Sequence, residues 1–337
     1  MSINPYISVV MPVYNAAATL EAALASVLSQ DEHAIDLIAV DDGSSDGSAE
    51  LLERAAAADR RVRMLHQPHG GIVAALNAGL ELSRGRYIAR MDADDRSLPG
   101  RLSGQRRLLD TDMSTGLVSC LVAFDQEEHN QGYRRYAEWT NSMITHEQIH
   151  RNRFIESPLA HPTVMFRREL IERHGGYADG DFPEDYELWL RWLDAGVRMQ
   201  KVPSVLYHWR DPAGRLSRTD PRYRDEAFYR CKAHYLARLL HATVNRPIWV
   251  WGAGRPTRKR AEMLASHGVT IAGYIDIDPR KIGQTLHGRP VRAPEQLPPP
   301  GEAFVLSYVG SRGARERIRA MLVGRGYEEE RDFLCCA

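Results

Sequence analysis

Residues 6–95 alternate strand-like and helix-like segments with a regularity that restricts the fold more than any other feature of the chain. "YISVVMPVYN" is a β-branched run closed by Pro12 and Asn15, and "AAATLEAALASVLSQ" after it carries apolar residues at helical spacing. "IDLIAVDDGSSDGSAELLERAAA" repeats the plan: a strand to Val40, a polar glycine-containing turn, and a helix that Ser or Asp can cap. A third strand ("RVRMLHQP"), a helix ("IVAALNAGLELS") and a fourth strand ("GRYIARMDADD") follow. Such units predict an α/β fold with a mixed, mostly parallel sheet flanked by helices. Ligands of these sheets bind beyond the carboxyl ends of the strands. "DDGSSD" and "DADD" both fall there, which predicts one shared rim.

The length of 337 residues exceeds what a single core usually organises, so a large and a smaller domain are expected. Lys plus Arg equals Asp plus Glu at 44 each, which removes any global attraction to nucleic acid or acidic lipid. Anion binding must then be local. The start "MSINPYISVVMPVYN" has no basic region followed by a long apolar segment, and no stretch reaches the ~18 apolar residues of a membrane span. A cytoplasmic protein is expected, at most peripheral to the inner membrane face. Cys120, Cys231, Cys335 and Cys336 lack CxxC spacing and read as reduced thiols.

From Gly116 to Arg153 the pattern weakens, and "FDQEEHNQGYRRYAEW" is too polar to read as core. That region is assigned as variable. "ESPLAHPTVMFRRELIERHGGY" restores a loop, a strand and a helix, and "FPEDYELWLRWLDAG" is a helix with Glu184 and Asp185 in its first turn. After the strand "VPSVLYHWR" and the helix "RYRDEAFYRCKAHYLARLL", a second α/β alternation begins at "IWVWGAGRPTRKRAEMLASHG". The expected division is 1–222, a helical connector over 223–245, and a smaller Rossmann-like domain over 246–337.

Several segments could carry chemistry, and each has a plainer reading beside it. In "DADD", Asp92, Asp94 and Asp95 would repel one another unless something positive sits among them. A divalent cation takes one or two carboxylates plus water and phosphate oxygens, so it would suit them; a solvated acidic turn is the alternative. "VDDGSSDGS" could meet a base or ribose, or form a helix-capping turn. In "PEDYELW" a carboxylate could serve as general base, or act as ordinary helix N-terminal charge. His161, and His208, Arg210 and Ser217 in "YHWRDPAGRLS", could position phosphates or acceptor hydroxyls, or serve packing. "WGAGRPT" follows a strand and opens a helix, with Asp276 after the next strand, so Gly252, Gly254 and Asp276 form a second nucleotide-site candidate. Thr257 stands where the third glycine of that fingerprint belongs.

Taken in order, "VVMPVYN", "VDDGSSD", "GGIVAALNAGL", "YIARMDADD", "RLSGQ", "HPTVMFRRE", "GGY" and "EDYELWLRW" resemble family 2 glycosyltransferases over roughly residues 6 to 217. The resemblance implies a GT-A-type nucleotide-diphospho-sugar transferase fold and inverting, metal-dependent transfer, with Mn2+ or Mg2+ as cofactor. It implies that Pro12, Tyr14, Asn15 and Asp42 line the nucleotide pocket, Asp42 at the base, with Asn77 near the phosphates. Asp92 and Asp94 resemble the metal and ribose motif. Asp185 resembles the catalytic base, with Glu184 and His161 on the acceptor side. His208, Arg210 and Ser217 resemble the loop that closes over the diphosphate.

Two departures stand out. Leu76 occupies a position where some members carry Arg, and the QxxRW signature of processive members is absent, so one sugar per encounter is expected. The implied partners are a nucleotide-sugar donor, UDP-linked by family habit, and a hydroxyl acceptor in surface polysaccharide or lipid-linked glycan, with a homodimer as one use of the C-terminal module. No nucleic acid is implied. Acceptor recognition is expected from the Gly116–Arg153 region and the loops near His161. A sugar nucleotidyltransferase would need a Gly-rich basic loop after the first strand, which "MPVYNAAATL" lacks. A non-catalytic nucleotide-sugar binding protein is the other competing reading.

Overall fold

A computed structural model describes residues 6–124, 131–210 and 215–337. In chain order, strands β1 (Ile7–Val13), β2 (Ile35–Asp41), β3 (Val62–His66) and β4 (Tyr87–Arg90) alternate with helices α1 (Ala17–Leu28), α2 (Ser48–Ala58) and α3 (Ile72–Leu82). Then come β5 (Arg96–Ser97), α4 (Arg101–Thr111), β6 (Thr115–Phe124), α5 (Gln131–Asn141), α6 (His146–Asn152), β7 (Met165–Arg167), α7 (Glu169–His174), α8 (Glu184–Asp194) and β8 (Arg198–Trp209). The chain groups into two compact units, the first made of residues 1–149, 158–180 and 191–216.

The first unit holds an eight-stranded sheet in the order β3-β2-β1-β4-β7-β6-β8-β5. The pairs β1–β2, β2–β3, β1–β4 and β6–β8 run parallel, whereas β7 is antiparallel to β4 and β6, and β5 to β8. Residues of β1 and β2 are buried throughout, as strands covered on both faces require. Leu20 and Leu24 of α1 and Leu102 and Leu109 of α4 join Val9, Met11, Leu37, Tyr87 and Ala89 in one core cluster. Gly79 brings α3 against β1 so closely that a Cβ there would lie 2.4 Å from Val10 Cγ1.

Helix α1 has no side-chain cap of its own, because "NAAATL" offers none at Ala16. The following β–α turn supplies the cap instead. The N–H groups of Asn15, Ala16 and Ala17 donate to Ser44 Oγ (3.0 Å), Ser48 Oγ (2.9 Å) and Asp46 Oδ2 (2.9 Å). Orphan donors at a helix start are thereby satisfied from a neighbouring loop. Much of "DDGSSDGS" is accounted for by this lacing.

The region from Gly116 to Arg153 departs from its sequence reading. "GLVSCLVAF" belongs to β6, the parallel partner of β8, and "QGYRRYAEWTN" is the amphipathic α5, with Ala137 and Thr140 buried and Tyr133 and Tyr136 packed against the core. Polar residues dominate α5 by count, yet one face at helical spacing is apolar, and that face is what packs. Residues 125–130 lie outside the described part.

Thr140 of α5 also anchors a buried lysine. Lys201 of β8 is 2% exposed, and its Nζ donates to Thr140 O and to Thr140 Oγ1 (2.9 Å). Burial pushes the Lys201 ammonium down to about 7. The unfolded chain therefore holds the extra proton between roughly pH 7 and the ordinary lysine value near 10.4, and stability rises with pH across that window. Relative to Lys201→Met, the wild type is expected to gain about 2 kcal/mol from pH 7 to pH 9 in urea unfolding. Parallel stability profiles for the two proteins would refute the lowered proton affinity of Lys201 in the folded state.

The second unit comprises residues 150–157, 181–190 and 217–337. Its elements include α9 (Leu216–Thr219, from its second residue), α10 (Asp225–Thr243), β9 (Ile248–Trp251), α11 (Arg255–Glu262), β10 (Ile271–Ile275), β11 (Thr285–Leu286), β12 (Arg289–Arg292), β13 (Phe304–Ser307), α12 (Ala314–Gly324) and β14 (Phe333–Cys335). The sheet order β11-β12-β10-β9-β13-β14 is parallel except for the β11–β12 hairpin. Cys231, Leu236 and Leu240 of α10 share a core cluster with Ile248, Val250 and Leu306, so the helix read as a connector groups with this sheet. Lys232, 2% exposed, donates to the carbonyls of Phe154 (2.9 Å), Ile155 (3.1 Å) and Cys336 (2.7 Å), tying three stretches of the unit together. Among the described residues no helix is long and apolar enough to cross a membrane.

Candidate active site

The carboxyl ends of β2, β1 and β4 lie side by side in the first unit, with Val13 in register with Asp41 and Val10 with Arg90. Thr19 of α1 donates to Ala93 O (3.0 Å), which pins the turn between Asp92 and Asp94 to the start of α1. The two acidic segments therefore share one rim.

Asp92, Asp94 and Asp95 each offer a carboxylate oxygen within 4.8 Å of the others. They are not equivalent. Asp92 pairs with the buried Arg90. Asp95, 2% exposed, accepts from Tyr207 OH (3.0 Å) and from the N–H of Arg210 (2.7 Å). Burial pushes the Asp94 carboxyl up to about 6, with Asp92 adding to the effect and Arg215 and Arg90 opposing it. Burial likewise raises Asp95 well above the usual range, Asp92 and Asp94 contributing.

Positive charge does sit among the carboxylates, and the protein supplies it. Arg90 is driven down by burial, yet Asp92 outweighs that and leaves it above the ordinary arginine value. Arg215 is held over the rings of Trp209 (4.5 Å) and Tyr133 (5.1 Å), donates to Tyr133 OH (2.6 Å), and feels Asp92 and Asp95. The sequence held a signal for Arg90, since residues two apart on a strand share a face. It held none for Arg215 or Tyr207, which reach the turn from the far side of the chain.

With Asp92 and Asp95 engaged, the donor set suits a hard divalent cation held by Asp94 and Asp92, the remaining positions going to water and phosphate oxygens. His161 stands near this cluster, its Nε2 2.8 Å from Tyr177 OH, and burial followed by Arg90 and Arg215 keeps the ring neutral, well below its usual range. Tyr177 is placed in turn by Asn77, which donates from Nδ2 to Tyr177 O (2.9 Å) and accepts from Tyr177 N–H (3.0 Å). Asn77 thus holds the "GGY" turn. Leu76 is fully buried, so an Arg at that position would enter the core.

On the β1–β2 side, Tyr14 is 51% exposed and stacks on His69 at 4.3 Å between centroids. Asp42 is 3% exposed and directed into the loop before α3: Oδ1 accepts from Gln67 Nε2 (2.6 Å) and Gly70 N–H (2.9 Å), Oδ2 from Gly71 N–H (2.9 Å). Asn15 adopts a positive φ of 49° and accepts from Ser45 N–H. Pro12 lies within buried β1.

Glu184 and Asp185 open α8, in the stretch that groups with the second unit. Glu184 is 2% exposed and accepts from Tyr223 OH (2.6 Å), whereas Asp185 is only half-buried and accepts from Tyr186 N–H (2.7 Å). His208 pairs with Arg96 across β8 and β5, Arg210 is positioned through its backbone by Asp95, and Ser217 is exposed and groups with the second unit. Gly252, Gly254 and Asp276 do come together, since Asp276 Oδ2 accepts from Ala253 N–H (2.8 Å) and Lys281 Nζ (3.0 Å), and Oδ1 from Asp278 N–H (2.9 Å). The carboxylate that would hold a ribose there is occupied in bracing its own glycine loop.

Residues 8–175 match the family described as glycosyl transferase family 2. The chain is 28% identical over 238 residues to the O-antigen biosynthesis glycosyltransferase WbnJ of Escherichia coli, covering 69% of this chain and 89% of that one. The fold is similar to S. aureus TarS 1-349 in complex with UDP-GlcNAc, at a TM-score of 0.57 and 16% identity over 77% of this chain and 70% of the TarS 1-349 chain. It is also similar to the mannosyltransferase PcManGT from Pyrobaculum calidifontis in complex with GDP-Man and Mn2+, at a TM-score of 0.50 and 22% identity over 79% and 70% of the two chains. With the β–α alternation, the rim and the "DADD" turn in place, this chain belongs to glycosyl transferase family 2 and has a GT-A-type fold.

Proposed function

We propose that this protein is an inverting glycosyltransferase that moves one sugar from a nucleoside-diphosphate sugar, UDP-linked by preference, to a hydroxyl of a surface polysaccharide or glycolipid acceptor. The observation that carries the reading is the convergence of Asp92, Asp94 and Asp95 oxygens within 4.8 Å at the strand ends. Asp94 and Asp92 would hold Mn2+ or Mg2+. When bound, the cation supplies Lewis-acid stabilisation of the departing diphosphate. Diphosphate contacts are assigned to Arg210, His208 and Ser217, with the Arg210 guanidinium supplying the positive charge. Asp185 takes the proton of the acceptor hydroxyl as its oxygen attacks the anomeric carbon, and Glu184, fixed by Tyr223, orients the start of α8. Neutral His161 can exchange a hydrogen bond with an acceptor hydroxyl without adding charge. Peripheral association with the inner membrane face, where acceptors of this class are assembled, is part of the proposal.

Calorimetric titration of UDP, GDP and dTDP with and without Mn2+ tests this reading. Cation-dependent binding of one nucleotide is the expected outcome. Binding of equal strength with and without the cation would remove the metal from the mechanism and the aspartate turn from the donor site.

A further inference from the structure

The second sheet has a rim of its own at its carboxyl end. Ile275, Trp251 and Ser307 stand level at the ends of β10, β9 and β13. The loops that follow touch one another: Thr257 Oγ1 donates to Tyr308 O (3.4 Å), and a Cβ on Gly310 would lie 3.8 Å from Arg260 Nη1. Helices α11 and α12 open from two of these loops, and four arginines gather there. Arg255 and Arg258 lie in the first turn of α11, and Arg312 precedes Gly313, the residue that opens α12. Arg317 Nη1 would lie 3.4 Å from a Cβ on Gly313, so its head folds back to the same end.

Charge at this rim is unbalanced. Among the described residues none of these four guanidinium groups has an ion pair or a hydrogen bond, and Arg258 Nε is buried without an acceptor. The neighbouring cations are engaged: Lys259 by Glu226 (2.9 Å), Arg260 by Asp225 (3.6 Å), Lys281 by Asp276 (3.0 Å) and Arg280 by Asp278 (3.0 Å). Glu316, in the first turn of α12, offsets one of the four. The excess has a counterpart in the sequence, where residues 246–337 hold fifteen Lys and Arg against ten Asp and Glu in a chain balanced at 44 each. Between Asp276 and Asp278, both already paired, Ile277 projects with 71% exposure.

We infer that this rim is the surface by which the protein docks on an anionic lipid bilayer, with Arg255, Arg258, Arg312 and Arg317 meeting phosphate headgroups and Ile277 entering the acyl boundary. The inference gives a surface to the peripheral association proposed above and rests on that part of the reading, not on the transfer chemistry. Arginine suits phosphate because its planar fork donates twice. A basic surface is drawn to a negative leaflet within a Debye length, and an apolar tip adds a short-range hold. With overall charge balanced, the attraction is local, and it selects which face turns to the bilayer. A soluble anion would use the arginines and leave Ile277 in water; the exposed isoleucine beside them favours a lipid surface.

Co-sedimentation of the full chain with vesicles of phosphatidylcholine, with and without phosphatidylglycerol, tests the docking. One variant combines Arg255→Gln, Arg258→Gln, Arg312→Gln and Arg317→Gln, and a second is Ile277→Ser. A charge-matched control combines Arg54→Gln, Arg60→Gln, Arg84→Gln and Arg107→Gln, all exposed positions of the first unit. Thermal melts of each variant report folding. The wild type should bind only the phosphatidylglycerol vesicles, and less as salt rises. The rim variant should bind about 100-fold more weakly, at roughly fivefold per arginine with incomplete additivity, and Ile277→Ser about fivefold more weakly, while the control stays near wild type. No loss in the rim variant, or an equal loss in the control, would overturn this surface and leave the association to another face. A wild type that binds neither vesicle would bring down the peripheral association as well, with the transferase reading untouched. Rim-dependent binding of inorganic diphosphate without vesicle binding would make the rim a soluble-anion site and overturn the docking.

Discussion

Asp94→Asn is expected to lower kcat/KM for sugar transfer by about 10³-fold or more, because it removes the carboxylate proposed to hold the cation with Asp92, while Asp95 is engaged by Tyr207 and Arg210. The same substitution is expected to stabilise the protein. Burial and Asp92 raise the Asp94 carboxyl to about 6, so the folded state binds the extra proton between the ordinary aspartate value and that point. By linkage the ionised group costs stability above pH 6 and costs nothing below pH 3.8. At pH 7.5 without metal, Asp94→Asn should therefore gain about 1–3 kcal/mol over wild type, and near pH 4 the two should converge. Added Mn2+ should raise the melting temperature of the wild type and leave the variant unmoved. A variant that is less stable than wild type at neutral pH, or that retains more than a tenth of the activity, would mean that Asp94 is a structural residue.

The second large effect is Asp185→Asn, with a fall in kcat of about 10² to 10⁴ and nucleotide affinity unchanged. Asparagine keeps an oxygen that can accept from the N–H of Tyr186, so the first turn of α8 is retained and only the capacity to take a proton is lost. Glu184 offers the control. It is buried against Tyr223 OH, and Glu184→Gln preserves an acceptor for that hydroxyl, so its loss of rate should be the smaller of the two. Steady-state rates at saturating donor distinguish the pair; a larger loss from Glu184→Gln would exchange the proposed roles.

The charge balance at the rim also bears on how the enzyme would meet its cation. Three carboxylates faced by Arg90 and Arg215 are better compensated than the bare run "DADD" suggests. Removing one partner of a buried pair typically costs about 3–5 kcal/mol, so Arg90 holds the turn together as well as moderating its field. A donor bringing its own diphosphate charge would complete the cation's shell, which favours joint rather than separate binding of metal and nucleotide.

The sequence by itself determined the elements of the first sheet, their alternation, the location of the ligand rim and the aspartate turn. These are local properties: periods of 2 and 3.6 in apolar residues, turn residues between them, and the rule that parallel strands gather their loops at one edge. It misjudged α5 because polar residues outnumber apolar ones there, although what packs is one face and not the composition. Only the tertiary structure decided what each site residue touches. The cap of α1 comes from Ser44, Asp46 and Ser48, the partners of Asp95 are Tyr207 of β8 and Arg210 just past its end, and Asp42 is committed to the loop that carries His69. Such pairings depend on strand register and on loops meeting across the sheet, where a shift of one residue reverses every side chain. A carboxylate can be read from the sequence, but whether it still has an oxygen to offer a ligand is set by neighbours that are close only after folding.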